Sequence, residues 1–297
     1  MSGNQLTYVL ITPARNEEAF IELTIKSVVS QTCLPIKWVI VSDGSTDGTD
    51  DIVKKYIAEN PWIELARMPE RQERHFAGKV HAFNAGYAKV KELDYDIIGN
   101  LDADIAFDDP EYFDFLLRKF AKDPKLGVGG TPFREGTVQY DYRFTRKEHV
   151  SGACQLFRRE CFESIGGYVP LKIGAIDLVA VVTARIKGWK TETFIDKYCV
   201  HHRRMGAANY KILGTIFRDG YYDYPLGVHP FWELSRSVYN MSRKPIILSG
   251  VIHMAGYFWA MLTRSPKLVS MEFVRFRRKE QMLWLREYFR KALRPLR

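Results

Sequence analysis

Residues 95–104 read Tyr95-Asp96-Ile97-Ile98-Gly99-Asn100-Leu101-Asp102-Ala103-Asp104. The apolar run is short, the pattern of a buried strand, and it leads directly into two carboxylates one residue apart. The same order of strand, polar cluster and helix occurs twice upstream. Residues 7–12 (TYVLIT) form a strand followed by Pro13-Ala14-Arg15-Asn16-Glu17, and residues 37–42 (KWVIVS) form one followed by Asp43-Gly44-Ser45-Thr46-Asp47-Gly48-Thr49. Ile21, Ile25, Val28 and Val29 have the spacing of a helix face within 17–31, and Ile52, Val53, Tyr56 and Ile57 predict a helix from about Thr49 to Ile57. Residues 63–67 are a third short strand, 79–91 suit a helix, and Pro110 opens another through about Phe120. Strands alternating with helices imply βαβ units and a mainly parallel sheet. Ligands of such sheets sit beyond the carboxyl ends of the strands, which is where all three polar clusters fall.

Composition narrows the class. The 297 residues are 46% hydrophobic and 27% charged, ordinary globular values that exclude disorder over the whole chain. Only one apolar run comes near spanning length, so a polytopic membrane protein is excluded. Cys33, Cys154, Cys161 and Cys199 are too scattered for a disulfide scaffold and lack the CxxC spacing of a zinc site. The opening MSGNQLTYVLITPARNEE reads as a first strand and not as a signal peptide. The expected compartment is therefore reducing, the cytosol.

Charge is uneven. Of a net +9, the segment from Arg264 to Arg297 carries 11 basic and 3 acidic residues, or +8, which leaves +1 for the rest. Phe273, Phe276, Trp284, Tyr288 and Phe289 are interleaved with these cations. That mixture favours an anionic membrane surface over a solvated or protein-packed helix, and both over nucleic acid. Just upstream, residues 245–263 (PIILSGVIHMAGYFWAMLT) contain no Lys, Arg, Asp or Glu. The run is near the length of a bilayer span but only moderately apolar. A span would also carry the basic tail away from a cytosolic body, against the positive-inside tendency. The preferred expectation is an in-plane or re-entrant membrane contact, with a buried helix as the alternative. Domain boundaries are expected at 1–225 for the α/β domain and 226–297 for the helical, apolar-then-basic region.

Several chemistries lose their usual signal. A P-loop fails because Glu73 stands five positions before Gly78-Lys79, and GxGxxG, HExxH and GxSxG are absent. What remains is a set of polar positions, each with two readings. Asp102 and Asp104 can grip a divalent cation while phosphate oxygens fill the other positions, or they simply flank a turn. Asp43 can accept a hydrogen bond from a nucleobase at its strand tip, or the DGSTDGT segment is a turn capped into the next helix by Ser45, Thr46 or Asp47. Lys79, with Arg71, Arg74 and His75, forms a basic loop that can meet a diphosphate or be solvated. Asn84 is polar within an otherwise small and apolar stretch. Asp177 is either a helix-terminal carboxylate or a general base toward an acceptor hydroxyl. His201-His202-Arg203-Arg204 offers metal ligands or phosphate contacts, or is structural.

Together, PARNEE, VSDGSTDGT, GKVHAFNAG, NLDADI and the Gly152…Gly166-Gly167-Tyr168 segment stand in the order of family 2 glycosyltransferases, which the chain resembles from about Tyr8 to about Arg204. The helix Asp177…Ala184-Arg185…Gly188-Trp189 and the later His-Arg pair continue the likeness. The resemblance implies a GT-A (Rossmann-like) α/β fold, a mainly parallel central sheet flanked by helices, here joined to a C-terminal helical membrane-associating region. It implies inverting transfer from a nucleotide-diphosphate sugar with Mg²⁺ or Mn²⁺. In that reading Pro13, Arg15, Glu17 and Asp43 belong to the nucleotide pocket. Lys79 and Asn84 belong to the donor site, Lys79 near the nucleotide or its phosphates. Asp102 faces ribose or metal, Asp104 is the main metal ligand, and His201 or His202 assists it. Asp177 matches the second acid of the family's Glu-Asp base motif. Ile176 stands where the Glu would be and Val179 at a later site that is often acidic, so the base rests on Asp177 alone. The processive synthases' QxxRW motif is absent, which favours single-sugar addition.

The expected activity is transfer of one sugar to a glycan or lipid-linked acceptor at the cytoplasmic membrane face, peripheral or monotopic, as in polysaccharide or glycolipid assembly. No nucleic-acid partner is expected. A sugar-nucleotide nucleotidyltransferase should open with a GxGTRL-type loop, which PARNEE does not fit. A degenerate scaffold or membrane adaptor is the non-enzymatic rival.

Overall fold

The computed structural model describes residues 6–70, 76–136, 138–139, 146–203, 212–242 and 245–292. Arg71, Arg74, His75 and Arg204, singled out above, lie outside the described residues. Two compact units divide the chain, Met1–Met205 and Gly206–Arg297. The division precedes the shift in composition at 225, so the helix before that point belongs to the second unit.

The first unit runs β1 (Tyr8–Ala14), α1 (Ile21–Val29), β2 (Lys37–Asp43), α2 (Thr49–Ile57), β3 (Ile63–Met68), α3 (Phe76–Val90), β4 (Ile97–Leu101), β5 (Ile105–Ala106) and α4 (Tyr112–Lys122). It continues with β6 (Leu126–Gly130), β7 (Phe133–Glu135), β8 (Val138–Gln139), β9 (Cys154–Arg158), α5 (Arg159–Ser164), α6 (Ile176–Ile186), β10 (Lys190–Thr193) and β11 (Cys199–His201). A seven-stranded sheet has the order β10-β6-β9-β4-β1-β2-β3. All its pairings are parallel except those of β9, which lies antiparallel to both β4 and β6. A small second sheet, β5-β11-β7-β8, pairs β11 parallel to β7 and antiparallel to β5.

The apolar strands are apolar because both faces are covered. All five residues of β4 are buried, as are six of the seven in β1. Trp38 is fully buried and keeps its indole N–H satisfied through Thr12 Oγ1 at 2.9 Å. Helix α3 lies on β1 and β2 so closely that a Cβ on Gly86 would come within 2.6 Å of Ile11 Cγ2. The GKVHAFNAG glycine is thus required for packing. Residues 13–18 and 43–49 are laced to one another: Asn16 N donates to Ser45 Oγ, Thr46 N to Asn16 Oδ1, Glu17 N to Thr49 Oγ1, and Gly48 N to Glu18 Oε2. Both polar clusters are therefore held as one rigid rim at the carboxyl ends of β1 and β2.

The second unit holds α7 (Ile212–Asp223), α8 (Pro230–Asn240), α9 (Leu248–Leu262) and α10 (Met271–Ala292). Helix α9 packs on α7 and α8. No helix among the described residues is long and apolar enough to cross a membrane. The uncharged 245–263 run contains α9, which His253 joins to its neighbours by a hydrogen bond from Nδ1 to Glu233 Oε1 at 2.6 Å.

Candidate active site

Strand β4 ends at Leu101, so Asp102 begins the turn beyond the sheet, and the two residues of β5 send the chain into the small sheet. The turn places the two carboxylates in different surroundings. Asp102 Oδ1 accepts from Lys79 Nζ at 2.5 Å and from Asn100 Nδ2 at 3.1 Å. Burial nevertheless pushes its carboxyl above the usual range, with Lys79 opposing the shift. Asp104 is 8% exposed. Burial would raise it too, but hydrogen bonding and charge from His201, with the charges of Arg203 and Lys79, hold it below its ordinary value. Of the pair, Asp104 is the one kept ionised most firmly.

Register in the small sheet explains His201. Strands β11 and β7 run parallel with Val200 opposite Arg134, which brings His201 beside Glu135. His201 Nδ1 lies 2.8 Å from Glu135 Oε1, and Nε2 lies 3.4 Å from Asp104 Oδ2. Burial works against a charged imidazole here, yet the hydrogen bonds and charges of the two carboxylates outweigh it and push the pKa up to about 9. His202 does not join this group. Successive strand residues point to opposite faces, and the His202 ring stacks on Phe20 with Nε2 buried and unpartnered; only its backbone N–H reaches Asp104, at the carbonyl. Arg203 joins the rim to the aspartates, with Nε 3.2 Å from Asp104 Oδ2 and Nη2 bonded to Glu17 Oε2.

Asp177 lies in the first turn of α6, inside the helix and not before it. Its Oδ2 accepts from Gly152 N at 3.2 Å, and a Cβ on Gly152 would meet the Asp177 side chain at 3.0 Å. Lys79, Asp102, Asp177 and His201 line one cavity of about 280 Å³, with Phe83, Phe133 and Tyr168 among its apolar walls. The structure thus gathers residues from α3, the β4 turn, α6 and β11, separated by up to 122 positions, around one space.

The remaining predicted residues fall elsewhere. Pro13 and Arg15 are half-buried beside Glu17 on the rim, and Asp43 is buried at the tip of β2; none is part of the cavity wall. Asn84 is exposed on α3 and is not brought to the cavity. Two contributors carry little sequence signal. Glu135 sits in the polar 131–150 stretch and is recruited only by strand pairing. Asn100 is a buried amide whose Nδ2 ties Asp102 to the carbonyl of Gly152 at 2.7 Å; a polar residue inside an apolar strand run was its only mark.

The donor set suits a hard divalent cation: carboxylate oxygens with one imidazole nitrogen. Asp104 already faces His201 and Arg203, so an arriving cation would take over charge compensation that these two now supply. Asp102, Asp104 and His201 are the residues that would hold the ion, and they would have to draw together to do so: among the described residues the group whose ligand atoms all lie within 4.8 Å of one another is Asp223, Glu233 and His253, in the second unit.

Residues 9–170 match the family described as glycosyl transferase family 2, and the chain belongs to it. A stretch of 119 residues is 34% identical to poly-beta-1,6-N-acetyl-D-glucosamine synthase of Staphylococcus aureus (strain COL), covering 39% of this chain and 26% of that protein. The synthase of Staphylococcus epidermidis is 31% identical over 118 residues, with the same shares. The chain spans about a quarter of the length of these curated relatives. Among solved structures, mannosyltransferase PcManGT from Pyrobaculum calidifontis, in complex with GDP-Man and Mn²⁺, aligns over 98% of this chain and 82% of its own, with a TM-score of 0.59 and 19% identity. S. aureus TarS 1–349 in complex with UDP-GlcNAc aligns over 92% and 78%, with a TM-score of 0.57 and 15% identity. At these identities the likeness is one of fold, and the fold is GT-A.

Proposed function

We propose that the chain is a metal-dependent inverting glycosyltransferase that moves one sugar from a nucleotide-diphosphate sugar to a glycan or lipid-linked acceptor, in cell-surface polysaccharide or glycolipid synthesis. The observation that carries this reading is one cavity walled by Lys79, Asp102, Asp177 and His201, with Asp104 Oδ2 3.4 Å from His201 Nε2. A bound Mg²⁺ or Mn²⁺ would offset the negative charge that develops on a leaving diphosphate.

The chain's own residues divide the remaining work. Asp104, kept ionised by its neighbours, and His201, held through Nδ1 by Glu135, present fixed ligand atoms. Lys79 and Arg203 are cations within reach of the aspartates, and both suit a diphosphate. Asp43 and the laced rim at Arg15–Glu17 form the floor for the nucleoside. Asp177 is the base: it takes the proton of the acceptor hydroxyl as that oxygen attacks the anomeric carbon. The backbone N–H of Gly152 fixes its carboxylate orientation. Phe83, Phe133 and Tyr168 give the same space apolar walls. Direct displacement from the opposite face inverts the anomeric centre.

In this reading the acceptor sits at an anionic membrane surface on the cytoplasmic side, met by the C-terminal region; the 16 Lys and Arg against 6 Asp and Glu in residues 206–297 support it. The chain then works as a peripheral or monotopic protein.

The deciding experiment is a thermal-shift panel of UDP, GDP, CDP, dTDP and ADP, each with and without Mn²⁺. Metal-dependent stabilisation by one diphosphate supports the reading and identifies the donor class. Stabilisation by none of them, with or without metal, counts against a nucleotide-sugar site.

A further inference from the structure

Helices α8 and α9 bury polar groups and expose apolar ones, although Tyr257 and Ala260 of α9 are also buried. On α8, Glu233 and Ser237 are fully buried, while Phe231, Leu234 and Val238 are 64%, 46% and 58% exposed. On α9, Ser249 and His253 are buried, while Leu248, Val251, Ala255, Trp259 and Leu262 face outward. The latter five are spaced three, four, four and three residues apart, one continuous stripe on a helix. The polar groups pair in part with one another: Glu233 Oε1 accepts from Ser237 Oγ and pairs with His253 Nδ1, and Asp223 Oδ2 accepts from Arg236 Nη1 at 2.6 Å, while Glu233 Oε2 and His253 Nε2 are buried without a hydrogen-bond partner. Backbone approach is correspondingly close. A Cβ on Gly250 would lie 2.2 Å from Ser237 O, on Gly256 2.1 Å from Phe217 O, and on Gly220 1.9 Å from His253 O. Polar groups clustered inside, small residues at the helix contacts and apolar side chains outside are the arrangement of helices in an apolar solvent. A water-facing helix has the reverse.

Length excludes a span. Fifteen residues rise about 22 Å, against about 30 Å of hydrocarbon. The ends of the run are cationic: Arg243 and Lys244 precede it in sequence and an exposed Arg264 follows it. Two further isoleucines, Ile246 and Ile247, are 66% and 63% exposed just before the helix, and Ile247 is held at φ +64°. An apolar stripe between cationic ends matches the boundary between acyl chains and anionic headgroups. A second copy of the chain matches it poorly, because each copy would bring the +10 of residues 206–297 against another +10.

We infer that α9, with Ile246 and Ile247, lies in the plane of an anionic bilayer, its Leu248–Val251–Ala255–Trp259–Leu262 stripe immersed at the headgroup–acyl boundary. The inference rests on the membrane reading proposed above and assigns the contact to this stripe and not to the basic helix α10.

The test places an environment-sensitive NBD label on single cysteines in the full chain. Cys33→Ser provides the background, since the other three native cysteines are buried. Val251→Cys and Leu262→Cys report on the stripe, and Arg286→Cys on α10. Vesicles of phosphatidylcholine with 30% phosphatidylglycerol are added at low salt. At positions 251 and 262 the emission shifts to the blue, rises several-fold and is quenched by doxyl-labelled lipid, while 286 changes little. The double variant Val251→Glu/Leu262→Glu, at two exposed positions, lowers vesicle partitioning at least tenfold with an unchanged circular dichroism spectrum. Binding to vesicles with the 251 and 262 labels still in water overturns the stripe but leaves the membrane reading intact. No binding to any vesicle removes both. Blue-shifted labels without vesicles, together with a dimer mass by light scattering, mean that a second copy covers the stripe and also overturn the inference.

Discussion

Replacing Asp104 with Asn separates the stability of the site from its ligand chemistry. The side chain is nearly enclosed and interacts with two cations, His201 at 3.4 Å and Arg203 at 3.2 Å. Removing one partner of a buried ion pair typically costs about 3–5 kcal/mol because the other charge is stranded. Neither cation is stranded here. Arg203 keeps Glu17, and His201 keeps Glu135 at 2.8 Å. Asparagine also retains an acceptor oxygen. The expected loss is therefore that of one or two charge-assisted hydrogen bonds, about 1–3 kcal/mol. For a unit of 205 residues, about 2–4 °C accompanies each kcal/mol, so the unliganded variant melts about 2–12 °C below wild type.

The liganded comparison moves differently. A ligand at a hundred times its dissociation constant adds about 2.7 kcal/mol to the folded state, or about 5–10 °C on the same scale. Wild type gains this with Mn²⁺ and the matching nucleoside diphosphate, and Asp104→Asn does not. The pH dependence supplies an internal check. Asp104's folded pKa is depressed, so its contribution is present above the unfolded value near 3.9 and is lost as pH falls through the folded value. The gap in melting temperature between the unliganded proteins should therefore close on acidification. The assay is differential scanning fluorimetry between pH 3 and pH 8. A variant that keeps the full metal-dependent gain, or a gap that widens in acid, would refute the assignment of Asp104 as the ionised anchor.

Three further outcomes are expected. Asp177→Asn keeps the metal-dependent diphosphate shift but lowers transfer by about 10²–10⁴-fold, the usual contribution of a positioned base; a variant with undiminished turnover removes Asp177 from the chemistry. Glu135→Gln leaves the fold intact and weakens Mn²⁺ binding, read by calorimetry, by about 10–100-fold, because the carboxylate behind a ligating histidine sets its orientation and basicity; unchanged affinity would show that His201 does not depend on this partner. For the unliganded wild type, His201 has its pKa raised from 6.5 to about 9. Its stabilising contribution is complete below about pH 6.5 and fades as pH rises through about 9, with an upper bound of about 3 kcal/mol. Chemical denaturation from pH 6 to 10 should show that loss in wild type and not in His201→Gln.

What could be read from the sequence divides along a physical line. Strands β1, β2 and β4 and helices α1 to α4 announce themselves because each is a local pattern: a short buried run, a helical period, a turn with glycine and aspartate. Since the polar clusters follow the strands directly, the parallel topology alone was enough to bring Asp43, Asp102 and Asp104 to one end of the sheet. Side chains set by pairing over long separations were not legible. Strand β9 enters antiparallel between β4 and β6, and no local pattern dictates that order. The His201-His202 pair could be assigned only once β11 had a register, since the alternation of a strand admits one of the two to Asp104 and turns the other toward Phe20. Glu135 is the sharpest case, because a single glutamate in a polar loop gains meaning only when β7 pairs with a strand 66 residues away. The same holds for the uncharged run at 245–263. Its lack of charge set it apart, but which of its residues are exposed is decided by the packing of α9 on α7 and α8, which claims His253 and the glycines for the inside and leaves Leu248, Val251, Trp259 and Leu262 facing out.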